Sequence, residues 1–191
     1  MDKPRCAWPT NDELMIDYHD HEWGVPVHDE RKIFEFMVLD AFQAGLSWST
    51  ILKKRENFRA AFDNFEPEII AKYNQDKIDN LLQNAGIIRN KAKVNATVKN
   101  VKAFLEVQKE FGTFDKYIWQ FVGNHPIVNK WNTMAEIPAK TPEAEAMSAD
   151  LKKRGFGFMG PTICYAFMQA AGMVNDHEVG CFRYTEINQL R

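Results

Sequence analysis

Apolar residues recur at helical spacing along almost the whole chain, and polar caps, prolines and glycines punctuate the runs. Asp29 is placed to cap a helix carrying Ile33, Phe34, Met37, Val38 and Ala41, with Gly45 at its end. Ser47 is placed to cap the next helix, which runs through Ile51 and Leu52 to Phe62. Pro67 suits the first position of a short helix. Asp76 opens a segment that turns Ile78, Leu81 and Leu82 inward and stops at Gly86. From about Lys91 a long helix sets Val94, Val98, Val101, Phe104 and Leu105 on one side and closes at Gly112. Another short helix is expected over 114–122 and a long connecting loop over 123–141. Thr141-Pro142 starts a helix ending near Gly155, and Pro161 starts the apolar helix ICYAFMQAAGM. There is no alternating strand pattern, internal repeat or low-complexity stretch, so the expected fold class is all-α.

Composition bounds the class without choosing a function. At 191 residues, 45% hydrophobic and 26% charged, the chain suits a single domain over 1–191. No apolar run approaches the roughly 18 residues a membrane span needs, and MDKPRCAW is not a secretory signal. Three cysteines are too few for a disulfide framework, which predicts a reducing, cytoplasmic setting with no membrane partner. Net charge is −2, but its distribution is uneven: residues 1–40 hold 4 basic and 10 acidic side chains, residues 41–110 hold 12 and 8. Basic clusters fall at Lys53, Lys54, Arg55 and Arg59, at Arg89 to Lys102, and at Lys152 to Arg154. They read either as solvated helix faces or as a phosphate-gripping face.

Three local patterns bear chemistry. IDNLLQNAGIIRNKAKVNATV reads as helix, tight turn and helix; Gly86 can take a positive φ there, and Arg89 and Lys91 follow the turn. Backbone N–H groups at the start of the second helix can face one phosphate, as in a helix-hairpin-helix, although an ordinary helical hairpin has the same pattern. Cys6, His19, His177 and Cys181 are soft and borderline ligands that suit a closed tetrahedral metal site, or else buried thiols and satisfied imidazoles. Asp40 follows Val38-Leu39 and precedes Ala41-Phe42, where a carboxylate needs a partner or a purpose. With Trp8, Tyr18, Trp23 and Trp48 it could hold a flat, partly cationic ring such as a purine turned out of a duplex; a helix-end Asp reaching solvent is the plainer alternative.

The segments CAW at Cys6, YHDHEWGVP from Tyr18, QAGLSWSTILKKRENFR from Gln43, NAGIIRNKAK from Asn84, LKKRGFGFMGPTICYAFMQAAGMVNDH from Leu151 and VGC ending at Cys181 resemble the 3-methyladenine DNA glycosylase I family. They span the chain from end to end. The resemblance implies a helix-hairpin-helix glycosylase fold, with that element at about 76–108 and a structural zinc on Cys6, His19, His177 and Cys181 joining the two termini. It implies a base pocket of Trp8, Tyr18, Trp23 and Trp48, a wedge at Leu46, and strand contacts at Gly86, Arg89 and Lys91. The activity implied is monofunctional release of 3-methyladenine from double-stranded DNA by base flipping, and a monomer is the simplest expectation. One position departs: the family's pocket carboxylate is usually Glu, and Asp40 is one methylene shorter. That leaves altered alkylpurine specificity, or a non-catalytic DNA-binding module, as alternative readings.

Overall fold

The computed structural model describes residues 3–190, so the expected unit of 1–191 is described except for its first two residues and its last. The chain is mostly helical: α1 (Glu13–His21), α2 (Glu30–Gln43), α3 (Trp48–Ala61), α4 (Pro67–Ile70), α5 (Gln75–Gln83), α6 (Lys91–Phe111), α7 (Phe114–Trp119), α8 (Pro142–Lys153), α9 (Pro161–Ala170) and α10 (Phe182–Asn188). Among the described residues, no helix is long and apolar enough to cross a membrane.

Capping chemistry sets most boundaries. The side chains of Asp29, Ser47 and Thr141 accept from the backbone N–H of Lys32, Thr50 and Ala144. Pro67, Pro142 and Pro161 occupy first turns, where the missing N–H costs nothing. Gly112 ends α6 with φ +87°. The cap of α5 is Asn74, not Asp76, because the Asn74 side chain reaches the N–H of Lys77 and leaves Asp76 inside the first turn. The expected all-α class holds but for one pairing: Ile127–Val128 (β1) lies parallel to Val174–Asn175 (β2). Two residues are too few to show alternation.

At the centre lies α2, with ten consecutive buried residues from Ile33 to Phe42. Packed against it are α3, α9, α6 and α7. Because α2 is enclosed on all sides, its polar residues Glu35 and Asp40 must be satisfied from within the protein or by a ligand. Asp40 sits inside the last turn rather than at the helix end, where it would have reached solvent.

The basic clusters divide on folding. Lys91 and Lys99 are exposed, as are Arg89, Lys152 and Lys153. Arg55 is buried against Glu22 and Glu35, and Arg154 pairs with Glu110 and Asp150. Lys93 is buried and donates to the carbonyls of Phe42 and Ala44 (2.8 and 2.6 Å), capping the C-terminus of α2. Lys54 donates to the carbonyls of Ala85 and Gly86. The solvated-face reading is therefore wrong for Arg55 and Lys93.

Candidate functional site

A cavity of about 350 Å³ opens between α1, α2, α3, α9 and the segment 134–139. Trp8 precedes α1, Tyr18 lies within it and Trp23 follows it, while Asp40 and Gln43 come from α2 and Trp48 begins α3. All five residues expected to form a ring-binding pocket thus line one cavity. The rings make a box rather than a stack. Trp8 and Trp23 meet edge-on at 5.1 Å between centroids, Trp8 and Tyr18 at 6.2 Å, and Tyr18 and Trp48 at 5.1 Å with a 47° tilt. Such faces suit an inserted aromatic ring.

Three polar atoms around this cavity are buried with no protein partner: Asp40 Oδ2, Trp8 Nε1 and Trp48 Nε1. Unsatisfied buried groups are rare and costly, so three at one cavity mark a place for a ligand. Burial pushes the Asp40 carboxyl well above the usual carboxylate range. Burial, then the nearby Asp40 charge, pushes the Tyr18 hydroxyl up, which keeps it a donor. A flat ring that offers hydrogen-bond donors and positive charge would satisfy Asp40 and restore its ionised form.

Sequence patterns missed the opposite wall. Thr162, Tyr165, Ala166 and Gln169 project from α9, and Met134, Ile137, Pro138 and Ala139 close the side. The i, i+3, i+4 and i+7 spacing on α9 put one face of that helix within reach of detection, but its residue types carried no signal.

Beside the cavity, Cys6, His19, His177 and Cys181 are buried together, with their four ligand atoms within 4.8 Å of one another. Cys6 Sγ lies 3.5 Å from His177 Nδ1, and Cys181 Sγ lies 3.5 Å from His19 Nε2 and 3.7 Å from His177 Nδ1. The remaining ring nitrogens are held: His19 Nδ1 against Asp20 (2.7 Å), and His177 Nε2 against the Trp23 carbonyl (3.0 Å). Such outer partners fix ring orientation at metal sites. Hydrogen bonding with Cys6, and then with both histidines, pulls the Cys181 thiol down to about 2 against its burial, while the same pairing and burial push Cys6 up. Gly24 carries φ +79°, and a Cβ there would meet His177 Nε2 at 3.1 Å, so glycine lets the chain close over the cluster. This group can hold a metal ion. His19 follows Tyr18, and Trp23 orients His177 while lining the cavity, so the cluster and the cavity share their scaffold.

The segment 84–90 joins α5 to α6 as expected, and the two helices pack together. Gly86 does not adopt a positive φ. Glycine is needed there for close approach, since a Cβ would stand 2.9 Å from Asn84 Oδ1 and 3.1 Å from Asn57 Cβ. Its N–H donates to Asn84 Oδ1. Arg89 and Lys91 are exposed beside it. Leu46 is 41% exposed between the cavity residues Gln43 and Trp48, in the turn where Gly45 takes φ +79°. His28 and His125 are exposed, and Cys164 is buried in the core.

Fold and cavity together define a helical protein built to enclose one flat, hydrogen-bonding ring. Comparison with known proteins is specific. The sequence profile of the methyladenine glycosylase family matches residues 8–184. The chain is 49% identical over 180 residues to DNA-3-methyladenine glycosylase 1 of Escherichia coli (strain K12), covering 94% of this chain and 96% of that protein. It is 50% identical over 177 residues to DNA-3-methyladenine glycosylase of Haemophilus influenzae, covering 93% and 96%. A crystal structure of 3-methyladenine DNA glycosylase I superposes with a TM-score of 0.92 at 49% identity, covering 94% of this chain and 98% of the other. The Staphylococcus aureus 3-methyladenine DNA glycosylase I, solved for its recognition of 3-methyladenine, superposes at 0.90 with 35% identity over 93% and 95%. The chain belongs to the methyladenine glycosylase family.

Proposed function

We propose that this protein is a DNA repair glycosylase that hydrolyses the N-glycosidic bond of 3-methyladenine in alkylated double-stranded DNA. The observation that carries the reading is the cavity, where Asp40 and two indole N–H groups lie unpartnered among Trp8, Tyr18, Trp23 and Trp48. Homologues about half identical over nearly their whole length bear that activity in their names, and a related structure is a complex with 3-methyladenine.

The chemistry asks little of the protein. Methylation at N3 makes the adenine cationic, so when the bond to C1′ breaks its electrons stay with a base that leaves neutral. Water adds to C1′ and gives up a proton, leaving an abasic site; no step cleaves the strand. The work is extrusion and capture. Unstacking costs a few kcal/mol and less for a damaged pair, while aromatic stacking returns roughly 1–3 kcal/mol per base. Asp40 accepts from the base and favours its charge, and Trp8, Tyr18, Trp23 and Trp48 hold its faces and edges. Leu46, exposed at the rim, fills the gap in the duplex. Gly86, Arg89 and Lys91, in a helix-hairpin-helix element over about 76–108, hold the strand's phosphates. The enzyme acts as a monomer.

Cys6, His19, His177 and Cys181 hold a structural zinc. With Zn–S near 2.3 Å and Zn–N near 2.0–2.1 Å, a tetrahedral ion would separate sulfur from nitrogen by about 3.5 Å; Cys6–His177 and Cys181–His19 stand at 3.5 Å and Cys181–His177 at 3.7 Å. Held by these four residues, a zinc would fasten the N-terminal segment to the segment after β2 and serve structure rather than catalysis. About one zinc per chain is expected, and chelation should lower the melting temperature. Metal-free protein of full stability would remove zinc from the account.

The test of function is base release from methylated duplex DNA, with the free bases separated by chromatography. Release of 3-methyladenine alone is expected. Release of other methylated purines would move the consequence of the short Asp40 side chain into specificity. Folded, metal-loaded protein that binds abasic DNA and releases nothing would be a binding module instead.

A further inference from the structure

Asp176 is a buried carboxylate, 1% exposed, that the excision chemistry does not use. Four donors surround it: Asn129 Nδ2 at 2.7 Å and Trp131 Nε1 at 2.8 Å on Oδ1, and the Tyr165 hydroxyl at 2.5 Å and Gln169 Nε2 at 2.8 Å on Oδ2. Tyr165 and Gln169 both line the ring-binding cavity, on the α9 wall. A carboxylate can only accept, so it fixes which end of each donor faces it. The Tyr165 hydroxyl is committed outward to Asp176. The Gln169 amide is committed the same way: its NH₂ must face Asp176, because the reverse orientation would set two acceptors against each other. Its carbonyl Oε1 is thereby presented away from Asp176, and among the described residues it accepts no protein hydrogen bond. Gln43 also lines the cavity, but no hydrogen bond among the described residues holds its side-chain amide one way round. One acceptor on α9 is thus orientationally locked, in the cavity that also holds the unpartnered Asp40 carboxyl of α2.

We propose that Gln169 is a specificity-determining residue, whose side-chain carbonyl accepts from the exocyclic amino group at position 6 of the bound purine, and that Asp176 is the positioning residue that locks it. A 6-amino purine donates to such a carbonyl, whereas a 6-oxo purine sets an oxygen against it. Discrimination then comes from two directions, a matched hydrogen bond for one base and facing acceptors for the other. The inference rests on the base-excision reading for its biological meaning and on the cavity alone for its geometry.

The test compares free 3-methyladenine with 3-methylhypoxanthine, which exchanges the amino group for an oxygen. Affinity is read by quenching of the cavity tryptophans. The unsubstituted protein should favour 3-methyladenine, and Gln169→Met, which keeps the length of the side chain, should reduce the affinity ratio by about tenfold, the size of one hydrogen bond. Asp176→Asn frees the amide to turn and should reduce the ratio as well, and the double variant should fall no further than Gln169→Met alone. A purely structural role would lower melting temperature and leave the ratio untouched. An unchanged ratio in folded Gln169→Met overturns the proposal. Base release from methylated DNA, measured in parallel, separates the two readings. Excision with a ratio indifferent to Gln169 sinks this inference alone; a ratio that depends on Gln169 without excision sinks the enzymatic reading alone.

Discussion

Glu35 and Asp40 are buried carboxylates five residues apart on α2, 7% and 2% exposed, and they lead opposite lives. Five residues turn about 140° around a helix, so the two point to different sides of the core. Glu35 accepts from Arg55 Nε at 2.6 Å and from Arg59 Nη2 at 2.7 Å. Arg55 continues to Glu22 through two further bonds of 2.7 and 2.9 Å, and Lys32 joins Glu22 at 2.9 Å. Burial would raise Glu35, yet the charge of Arg55 and the bonds from both arginines hold it below its ordinary value. Asp40 has burial and nothing to oppose it, and is pushed up. One helix thus carries a completed electrostatic site and an incomplete one. Completion marks architecture, and incompleteness marks the place where a ligand supplies the missing partner.

The largest effect should come from breaking the completed site. Arg55→Met keeps the stem over the Phe36 ring, 5.6 Å from the guanidinium, but removes the cation that bridges Glu22 and Glu35 and leaves them only Lys32 and Arg59. Removing one partner of a buried pair typically costs about 3–5 kcal/mol, and urea unfolding should show a loss of that size. Excision per folded molecule should stay near the unsubstituted value, since no atom of Arg55 lines the cavity. A loss under about 1 kcal/mol would make Glu35 and Asp40 energetically alike, contrary to the comparison.

Asp40→Asn should act the other way round. Excision should fall by about a hundredfold, the scale seen when one preorganised electrostatic group is lost. Stability at neutral pH should rise by about 1 kcal/mol, because a carboxyl with an unpartnered oxygen is replaced by a group that cannot ionise. Unchanged excision together with unchanged binding of free 3-methyladenine would take Asp40 out of the mechanism.

This contrast was half legible in the sequence. Asp40 stood out because an ionisable residue between Leu39 and Ala41 has no solvent side, and Trp8, Tyr18, Trp23 and Trp48 pointed to the same cavity. Helix boundaries were legible where a cap is local, as at Asp29, Ser47 and Thr141. Arg55 and Lys93 were not, because each looked like one more cation in a basic run. Their partners lie 20 to 51 residues away, and only the tertiary fold shows that their charges are spent on Glu35 and on the end of α2. Gln169 and Asp176 were hidden for a similar reason: the orientation of an amide depends on a neighbour that no helical period reveals. At Gly86 the turn pattern suggests a positive φ, but the backbone is ordinary and it is the close approach of Asn84 and Asn57 that requires glycine.

The smallest effect is also the most discriminating, because the two sites should give pH slopes of opposite sign. Burial opposes ionisation of Glu22, but the hydrogen bonds and charge of Arg55, helped by Lys32, pull its carboxyl from 4.5 to about 2. Between those values the unfolded chain holds a proton that the folded chain does not, so stability rises with pH there and is lost as pH falls through about 2. Glu35 contributes in the same sense. For Asp40 the folded chain holds the proton that the unfolded chain gives up above 3.8, so its contribution falls as pH rises toward its elevated folded value. Melting temperature should therefore climb out of the acid range and then sag. Asp40→Asn should remove the sag and leave the climb, whereas Arg55→Met should flatten the climb and leave the sag. If Asp40→Asn leaves the sag in place, the group that takes up the proton is not Asp40. The carboxylate would then have a partner in solution, and the incomplete site would be closed before any base arrives.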